Sequence, residues 1–279
     1  MAKLTNLKFM ENNHKTGMFS ELNEKTFDKF SDSNLKNVFF SIPSSLFYLR
    51  SDISAFGIKQ GVAPLNPYMN FDYNIFNTVA KKTVRIANNN LISKADELWV
   101  FSENFNSLTD GVLAEIKIAK ENKKKIKYFK IPEFKETSQN ISNFEGIENY
   151  YGIKLKGVER KTCYTAMSSK LFYFRSFISK NVLEKNYIPI NPFMSFDYFL
   201  IDKIPRDSVL FANSNFVEMS DELWVFGKIS DGVFAEIKLA KKLGKPIKYF
   251  KVEKPDKIVP VKNEDVEMEN NLKHLREEL

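Results

Sequence analysis

The sequence contains the same stretch of chain twice, and a repeat of this length restricts the fold more than any other feature. Residues 46–73 and residues 171–198 are identical at 14 of 28 positions. Residues 110–130 match residues 231–251 at 15 of 21 positions, and the string DELWVF occurs once in each copy. The chain therefore carries two copies of one domain of roughly 90–100 residues, which is an ordinary domain size.

The order of apolar and amphipathic segments within each copy indicates the fold class. Short strand-like runs alternate with helical stretches, which predicts an α/β fold: two tandem flavodoxin-like or Rossmann-like domains, each an open parallel sheet with helices on both faces. Ligands bind such sheets beyond the carboxyl ends of the strands. The Ser-Ser, Asn-Pro and Asp-Gly loops of each copy follow predicted strands and are expected at that edge.

The repeat also sets the predicted boundaries of the domains. We predict five segments: a polar N-terminal arm at 1–36, a first domain at 37–130, a linker at 131–158, a second domain at 159–252 and a charged C-terminal tail at 253–279. No chemistry is assigned to the arm, the linker or the tail.

The composition excludes several kinds of site. The only histidines are His14 and His274, both outside the two domains, so neither domain has a histidine for a catalytic triad or a metal site. The only cysteine is Cys163, which rules out an intrachain disulfide and favours a reducing compartment, with the cytoplasm as the default. No apolar run approaches the ~18–20 residues of a membrane span, and no glycine-rich phosphate-binding motif occurs. No metal ion, cofactor or membrane partner is therefore predicted.

The charge of the chain favours a solvated surface. The net charge is +7, from 42 basic and 35 acidic residues. This mixture of signs is more typical of an ordinary surface than of a patch that binds nucleic acid.

A glutamate stands at an unexpected position on the helix that follows the Asp-Gly loop. Val112, Ile116 and Ala119 recur at the spacing of a face that packs on the sheet, and Glu115 lies on the same face, as Glu236 does in the second copy. Burial of a carboxylate is unfavourable unless the group is paired or lines a cavity. Two interpretations stay open: a ligand-facing or catalytic carboxylate kept ionised by the nearby helix N-terminus, or a structural carboxylate in a buried ion pair.

At these positions the chain resembles the nucleoside 2-deoxyribosyltransferase-like superfamily, as a divergent, duplicated branch. The resemblance rests on a Ser-rich loop after the first strand, an apolar strand preceded by Asp-Glu, and the pattern Asp-Gly-x-x-x-Glu-x-x-x-Ala before a basic turn. These motifs cover nearly all of both copies. In the first copy the last pattern comprises Asp110, Gly111, Glu115 and Ala119, and in the second Asp231, Gly232, Glu236 and Ala240. The chain departs from the family at Lys117 and Lys238, where a glycine is frequent.

The resemblance implies an enzyme that breaks the N-glycosidic bond of a nucleoside or nucleotide. In that family the glutamate corresponding to Glu115 and Glu236 attacks the anomeric carbon and forms a glycosyl-enzyme ester, a role that suits an oxocarbenium-like centre. Asp72 and Asp197, in identical Phe-Asp-Tyr strings, become candidates for the acid that protonates the leaving base, with an ordinary loop aspartate as the alternative.

Further residues are candidates for substrate binding, each with a structural alternative. Ser44 and Ser169 are candidates for holding a phosphate or a sugar hydroxyl, with helix capping as the alternative. For Arg50 and Arg175 a phosphate contact competes with a salt bridge. The other candidates are Asn88 and Asn213, with helix capping as their alternative, and the loop residues Asp110, Gly111, Asp231 and Gly232.

Three functions remain in competition at this point. The leading hypothesis is an N-glycosidase or deoxyribosyltransferase; the alternatives are a nucleotide-binding protein without turnover and a nucleic-acid-binding protein. Because relatives often build each site across a subunit interface, the two copies are expected to form an intrachain pseudo-dimer, with further homo-oligomerisation left open. If only one copy is active, we expect the second, whose loop contains Gly227 and the sequence Ser230-Asp231-Gly232.

Overall fold

The computed structural model describes residues 35–197, 200, 203–254 and 256–279. Apart from its last two residues, the predicted N-terminal arm lies outside this part of the chain. Within the described residues, no helix is both long and apolar enough to cross a membrane.

The first copy builds the predicted alternation of strands and helices. A 3₁₀ turn at Ser44–Leu49 follows the first strand. The strands are β1 (Lys36–Ser41), β2 (Val62–Leu65), β3 (Glu97–Ser102), β4 (Lys125–Lys130) and β5 (Lys135–Thr137). The helices are α1 (Arg50–Lys59), α2 (Pro67–Asn70), α3 (Tyr73–Thr78), α4 (Lys81–Lys94), α5 (Asp110–Glu121) and, after a 3₁₀ turn at Ile147–Asn149, α6 (Tyr151–Lys154).

The second copy repeats this order. A 3₁₀ turn at Ser169–Phe174 again follows the first strand. The strands are β6 (Thr162–Met167), β7 (Ile188–Ile190), β8 (Glu222–Phe226), β9 (Ile247–Lys254) and β10 (Lys257–Val261). The helices are α7 (Arg175–Glu184), α8 (Pro192–Ser195), α9 (Arg206–Met219) and α10 (Asp231–Lys242), and the chain continues through 3₁₀ turns at Asn263–Asp265 and Asn270–Glu278.

The two sheets have the same strand order, which confirms the predicted fold class. The orders are β2-β1-β3-β4-β5 and β7-β6-β8-β9-β10, with four parallel strands in each. Only the fifth strand, β5 or β10, runs antiparallel, and each belongs to a segment that the sequence assigns to the linker or the tail. The prolines in β2 and β7 are tolerated because both are edge strands. In both sheets the strand order reverses beside the first strand, where such folds bind ligands.

The side chains of the strands alternate between two cores. In β1, Phe40 faces an outer cluster with Trp99, under helix α1. The outer face of the second sheet has its own cluster, which contains Trp224. The inner faces of both sheets share one continuous core, to which Phe39 and Tyr164 belong. The two tryptophans are therefore core residues.

Direct contacts join the two copies. Helix α9 of the second copy packs on β2 and β1 of the first sheet. The Ser195 hydroxyl donates to Oδ1 of Asn70 at 2.7 Å, and these residues occupy equivalent positions 125 residues apart. Lys94 also pairs with Asp221 at 2.7 Å. The copies thus meet through both apolar and polar contacts.

Gly57 shows how the two outer cores differ. A Cβ atom at Gly57 would lie 2.3 Å from Cζ of Phe40, which is far inside van der Waals contact. The equivalent pair in the second copy is Val182 and Thr165, so a larger helix residue there faces a smaller strand residue. The larger side chain is on the strand in the first copy and on the helix in the second, so each core stays filled.

We predict that Gly57→Val lowers the free energy of unfolding by about 1–3 kcal/mol, because the new side chain overlaps the Phe40 ring. Adding Phe40→Thr should make room for the new valine. The double variant should therefore lose less free energy of unfolding than the two single variants lose in sum. Chemical denaturation of the four proteins gives the coupling energy. Additive losses would show that the two positions do not share one volume.

Candidate functional site

A cavity of about 370 Å³ opens at the carboxyl edge of the first sheet, beside the strands β1 and β3. This is the edge at which the sequence places the ligand loops. The lining residues come from the loop after β1, the start of α2, the helices α3, α4 and α5, and one residue of the linker. They are Ile42, Pro43, Ser44, Pro67, Tyr68, Phe76, Val84, Arg85, Asn88, Thr109, Asp110, Gly111, Val112, Glu115 and Tyr150.

Glu115 lies at the inner wall of this cavity. Its helix face packs on the sheet, so the residue is buried, with 7% of its surface exposed. The Ser41 hydroxyl, on the inner face of β1, donates to Oε2 of Glu115 at 2.6 Å. An Nη atom of Arg85 lies 4.0 Å from Oε1. The carboxylate is therefore fixed from two sides and faces an open space.

The environment makes Glu115 a weaker acid than the sequence predicts. Burial raises the pKa of Glu115 to about 7, although the Arg85 guanidinium and the Ser41 hydroxyl act in the opposite direction. The prediction of a carboxylate held ionised by the helix N-terminus is thus only partly correct: near neutral pH the group is about half protonated. Such a group takes part in proton transfer or nucleophilic attack around pH 7.

Arg85 connects Glu115 to the linker. Its guanidinium carbon lies 5.4 Å from the centre of the Tyr150 ring, within the range of a cation–π contact. A Cβ atom at Gly111 would lie 3.4 Å from the Tyr150 hydroxyl and 3.6 Å from each Nη atom of Arg85. These are ordinary van der Waals distances, so the start of helix α5 lies directly beside both side chains. The linker, to which the sequence assigned no chemistry, supplies part of the wall.

Two further polar side chains face the cavity. Asn88 on α4 is 5% exposed, and its Oδ1 atom has no hydrogen-bond partner among the described residues. A buried acceptor without a donor is unfavourable, so this atom is suited to accept from a ligand or an ordered water. Tyr68 stands opposite, and burial and then the Glu115 carboxylate raise its pKa to about 12. Its hydroxyl therefore stays protonated and can donate.

The second copy has the equivalent glutamate in a different setting. Glu236 is 5% exposed, and the Tyr164 hydroxyl donates to its Oε1 atom at 2.6 Å. Its Oε2 atom and both amide atoms of Asn213 have no hydrogen-bond partner among the described residues. Burial raises the pKa of Glu236 to about 8, against the opposing Tyr164 hydroxyl.

The polar lining of the cavity is not repeated in the second copy. Equivalent residues of the two copies lie 125 positions apart up to the DELWVF strand and 121 positions apart after it. At four positions of the site the second copy has a less polar or shorter side chain. The pairs are Ser41 and Ala166, Tyr68 and Phe193, Arg85 and Leu210, and Tyr150 and Asn271. These residues therefore distinguish the first copy from the second, and the expectation that the second is the active copy stays untested.

Asp72, one of the predicted proton donors, caps helix α3, and Asp197 makes a similar backbone contact. The Asp72 carboxylate accepts from the backbone N–H of Ile75 at 3.1 Å and from the Ser176 hydroxyl at 2.7 Å. Asp197 accepts from the backbone N–H of Leu200 at 2.9 Å. Neither is among the described residues that line the cavity. The structure does not bring them to Glu115, and their contacts fit the structural alternative.

Arg50 and Arg175 also lie outside the cavity lining. The Arg50 guanidinium donates to the carbonyl of Phe47 at 3.2 Å and covers its ring at 4.2 Å. Arg175 makes the same contacts with Phe172, at 3.0 Å and 4.0 Å. In both copies the arginine closes the end of a 3₁₀ turn and forms no salt bridge with the described residues, while the phosphate contact stays a prediction.

The remaining predicted residues divide between the two copies. Ser44 and the loop residues Asp110 and Gly111 line the cavity. In the second copy Ser169 is exposed, and Asp231 accepts from the side chain of Asn271 at 3.0 Å. Gly232 is buried in the first turn of α10, and Asn213 is fully buried in α9. Helix capping explains none of the contacts of Ser44 or Asn88.

The Asp-Glu pair before each central strand holds the opposite edge of the sheet. The buried carboxylate of Glu97 accepts from Lys36 at 2.6 Å and from the Trp99 indole at 2.9 Å. Glu222 does the same with Lys248 and Trp224. Burial of Glu222 acts against ionisation, but the hydrogen bonds from these partners and Lys161 outweigh it and lower its pKa to about 2. This shared motif is structural.

Four residues of the site escaped the prediction from sequence. They are Ser41, Tyr68, Arg85 and Tyr150, and each stands where the second copy has a less polar or shorter side chain. A search for conserved motifs passes over such positions, because the repeat is least regular there. Within the described residues no group of three or more His, Cys, Asp or Glu side chains is placed to hold a metal ion.

Comparison with known proteins adds one match. Residues 164–250, which form most of the second copy, match a protein family described as a domain of unknown function, DUF7768. No curated protein and no solved structure matches the chain.

The raised pKa of Glu115 predicts a pH-dependent stability. The unfolded chain loses this proton near pH 4.5 and the folded chain near pH 7, so the free energy of unfolding falls as the pH rises through this window. The full penalty is about 3 kcal/mol. We therefore expect Glu115→Gln to be more stable than the natural chain at pH 8 and close to it at pH 4.5. Thermal melts at both pH values measure the difference.

Glu103→Gln on the exposed loop is the control, and it should change neither melt. Glu236→Gln should also be more stable than the natural chain at high pH. Its gain in the free energy of unfolding should reach full size only at a higher pH than for Glu115→Gln, because burial raises the pKa of Glu236 to about 8. A Glu115→Gln protein that is less stable at pH 8 would contradict the assignment of an unfavourably buried carboxylate.

Proposed function

We propose that the first copy cleaves or transfers the sugar at the N-glycosidic bond of a nucleoside or nucleotide, with Glu115 as the nucleophile. One observation carries the proposal: a buried carboxylate, fixed by Ser41 and Arg85, faces an open cavity at the ligand-binding edge of the sheet. A purely structural ion pair would fill the space beside it.

The chemistry follows from the position of the carboxylate. The ionised Glu115 attacks the anomeric carbon, and an ester bond forms while the N-glycosidic bond breaks. The bonding electron pair leaves with the base, which takes a proton from solvent or from a tyrosine hydroxyl of the lining. Water or a second base then attacks the same carbon, the ester bond breaks, and the carboxylate is restored. With water, the proton that it loses balances the one taken up by the base.

The other lining residues have roles that fit this reaction. The Arg85 guanidinium favours the ionised form of Glu115 and so the nucleophile. The Asn88 carbonyl and the Tyr68 hydroxyl offer an acceptor and a donor to the sugar or the base. The resemblance in the Asp-Gly-x-x-x-Glu motif supports the same reaction. Lys117, which replaces a frequent glycine of that family, points to the linker and pairs with Glu148 at 3.4 Å.

The second copy has a supporting role in this proposal. The described residues that line the cavity all come from the first copy and the linker. The second copy instead packs α9 against β2 and β1, the strands next to the site. We propose an intrachain pseudo-dimer in which one copy works and the other supports it. A reducing, cytoplasmic location stays the prediction from the single cysteine, Cys163, which is buried and free.

One observation favours a second function, nucleotide binding without turnover. The acids expected to protonate the base, Asp72 and Asp197, accept backbone hydrogen bonds and are not among the described residues that line the cavity. A binding protein needs no such acid. The two functions share the same cavity and differ in whether base is released.

We predict that Glu115→Gln reduces the release of base from nucleosides and nucleotides at least about 1,000-fold, because the amide cannot form the glycosyl ester. Glu236→Gln is the matched control, with the same chemical change at the equivalent position of the second copy. It should retain the activity of the natural chain. Chromatography of a panel of nucleosides and nucleotides after incubation measures both.

The pattern of losses separates the possible outcomes. Loss of activity in Glu236→Gln alone would move the site to the second copy. No base release from any compound by the natural chain, together with ligand-dependent thermal stabilisation, would favour the binding function.

We also predict how the activity depends on pH. The rate constant kcat/KM should rise with pH and level off above about pH 7, because the nucleophile is the ionised Glu115. Arg85→Leu, which copies Leu210 of the second domain, removes the charge that favours ionisation and should move the rising limb to higher pH. Initial rates between pH 5 and pH 9 test this. An unshifted limb in Arg85→Leu would show that the arginine does not act on the carboxylate.

A further inference from the structure

We infer that the substrate enters the first site as an uncharged nucleoside and not as its 5′-phosphate. The inference rests on the proposed function and concerns the charge that the cavity accepts. The sequence alone leaves open whether a phosphate is required, whereas the lining of the cavity bears directly on it.

The charged side chains of the lining are unfavourable for a phosphate. Arg85 is the only lysine or arginine among the described lining residues, and it stands beside two carboxylates, Asp110 and Glu115. With Glu115 in its nucleophilic form, the lining carries one positive and two negative charges. A phosphate monoester would add close to two more negative charges in a partly desolvated space, where like charges repel strongly.

The single cation of the lining is already engaged. Arg85 lies 4.0 Å from Oε1 of Glu115, and its guanidinium covers the ring of Tyr150. A phosphate would compete with the Glu115 carboxylate for the same guanidinium and so weaken the interaction that favours the ionised nucleophile. Phosphate binding and activation of Glu115 therefore compete for the same guanidinium.

The N-terminus of helix α5 is a poor anion site as well, because its own first residue carries a carboxylate. Helix N-termini bind anions through their backbone N–H groups and dipole. Here Asp110 occupies the first turn, and the Thr109 side chain accepts from the backbone N–H of Val112. Nearby lysines do not replace these groups: Lys81 on α4 is exposed and outside the cavity lining, and Lys117 is paired with Glu148.

The uncharged groups of the lining match the polar atoms of a nucleoside. The Asn88 carbonyl needs a donor, which a sugar hydroxyl or a base N–H provides. The Tyr68 hydroxyl stays protonated and donates, and its ring lies 6.1 Å from that of Phe76. Aromatic rings beside a cavity give a base an apolar surface. The volume of about 370 Å³ falls at the small end of ligand pockets.

The test compares matched pairs of compounds on the full chain. 2′-Deoxyadenosine and 2′-deoxycytidine are each compared with their 5′-monophosphates, and base release is followed by chromatography. We expect kcat/KM for the nucleosides to exceed that for the monophosphates by at least about tenfold. Asp110→Asn should narrow this ratio, because it removes one of the repelling charges. Equal rates, or a preference for the monophosphates, would overturn the inference.

Binding to the Glu115→Gln protein separates this inference from the proposed reaction. Calorimetry with the same four compounds should show binding of the nucleosides and at least about tenfold weaker binding of the monophosphates. That result supports the inference even if the natural chain releases no base, in which case only the proposed reaction fails. Absence of nucleoside binding, or tighter binding of the monophosphates, rejects the inference whatever the activity.

Discussion

The contact between the Ser41 hydroxyl and the Glu115 carboxylate is the constraint on which the site depends. It joins the first strand to the helix after the Asp-Gly loop, at 2.6 Å, inside the core shared by the two sheets. An apolar residue on that helix face would be more stable, because the carboxylate is desolvated and Arg85 compensates it only from 4.0 Å. Unfavourable burial of a titratable group is typical of functional sites. The open space beside the carboxylate supports that explanation here.

The second copy shows what the same position becomes without the polar partners. Glu236 remains, but Ala166 and Leu210 stand in the places of the serine and the arginine, and Tyr164 supplies its one hydrogen bond. The unpaired amide of Asn213 lies in the same domain core. Buried groups without partners lower stability. The second domain therefore carries the cost of a site without its complete lining, and the shared core with the first domain helps to keep it folded.

Most of the fold was predictable from the sequence, because the repeat and the alternation of strands and helices are local patterns. The position of Glu115 was predictable for the same reason: it interrupts the periodicity of one helix. The rest of the site was not, since Arg85 and Tyr150 approach the glutamate only after α4 and the linker have packed on the sheet. The prediction was wrong for the linker and the tail, which it left outside the domains. Each adds a short fifth strand to its sheet, Lys135–Thr137 or Lys257–Val261, that the predicted parallel sheet does not contain.

The linker and the tail follow one plan, although only the linker contributes a residue to the described lining of the cavity. After the fifth strand each segment returns to the glutamate-bearing helix of its own copy: Lys117 pairs with Glu148 of the linker, and Lys238 with Glu278 of the tail. The strings IEN and MEN lie 121 residues apart in these segments, so the repeat continues into them. The residue that follows is Tyr150 in the first copy and Asn271 in the second. A tyrosine reaches over Arg85 and forms a wall, whereas the shorter asparagine bonds to the helix start at Asp231. The difference between the two glutamate sites thus begins with a few side chains on one shared scaffold.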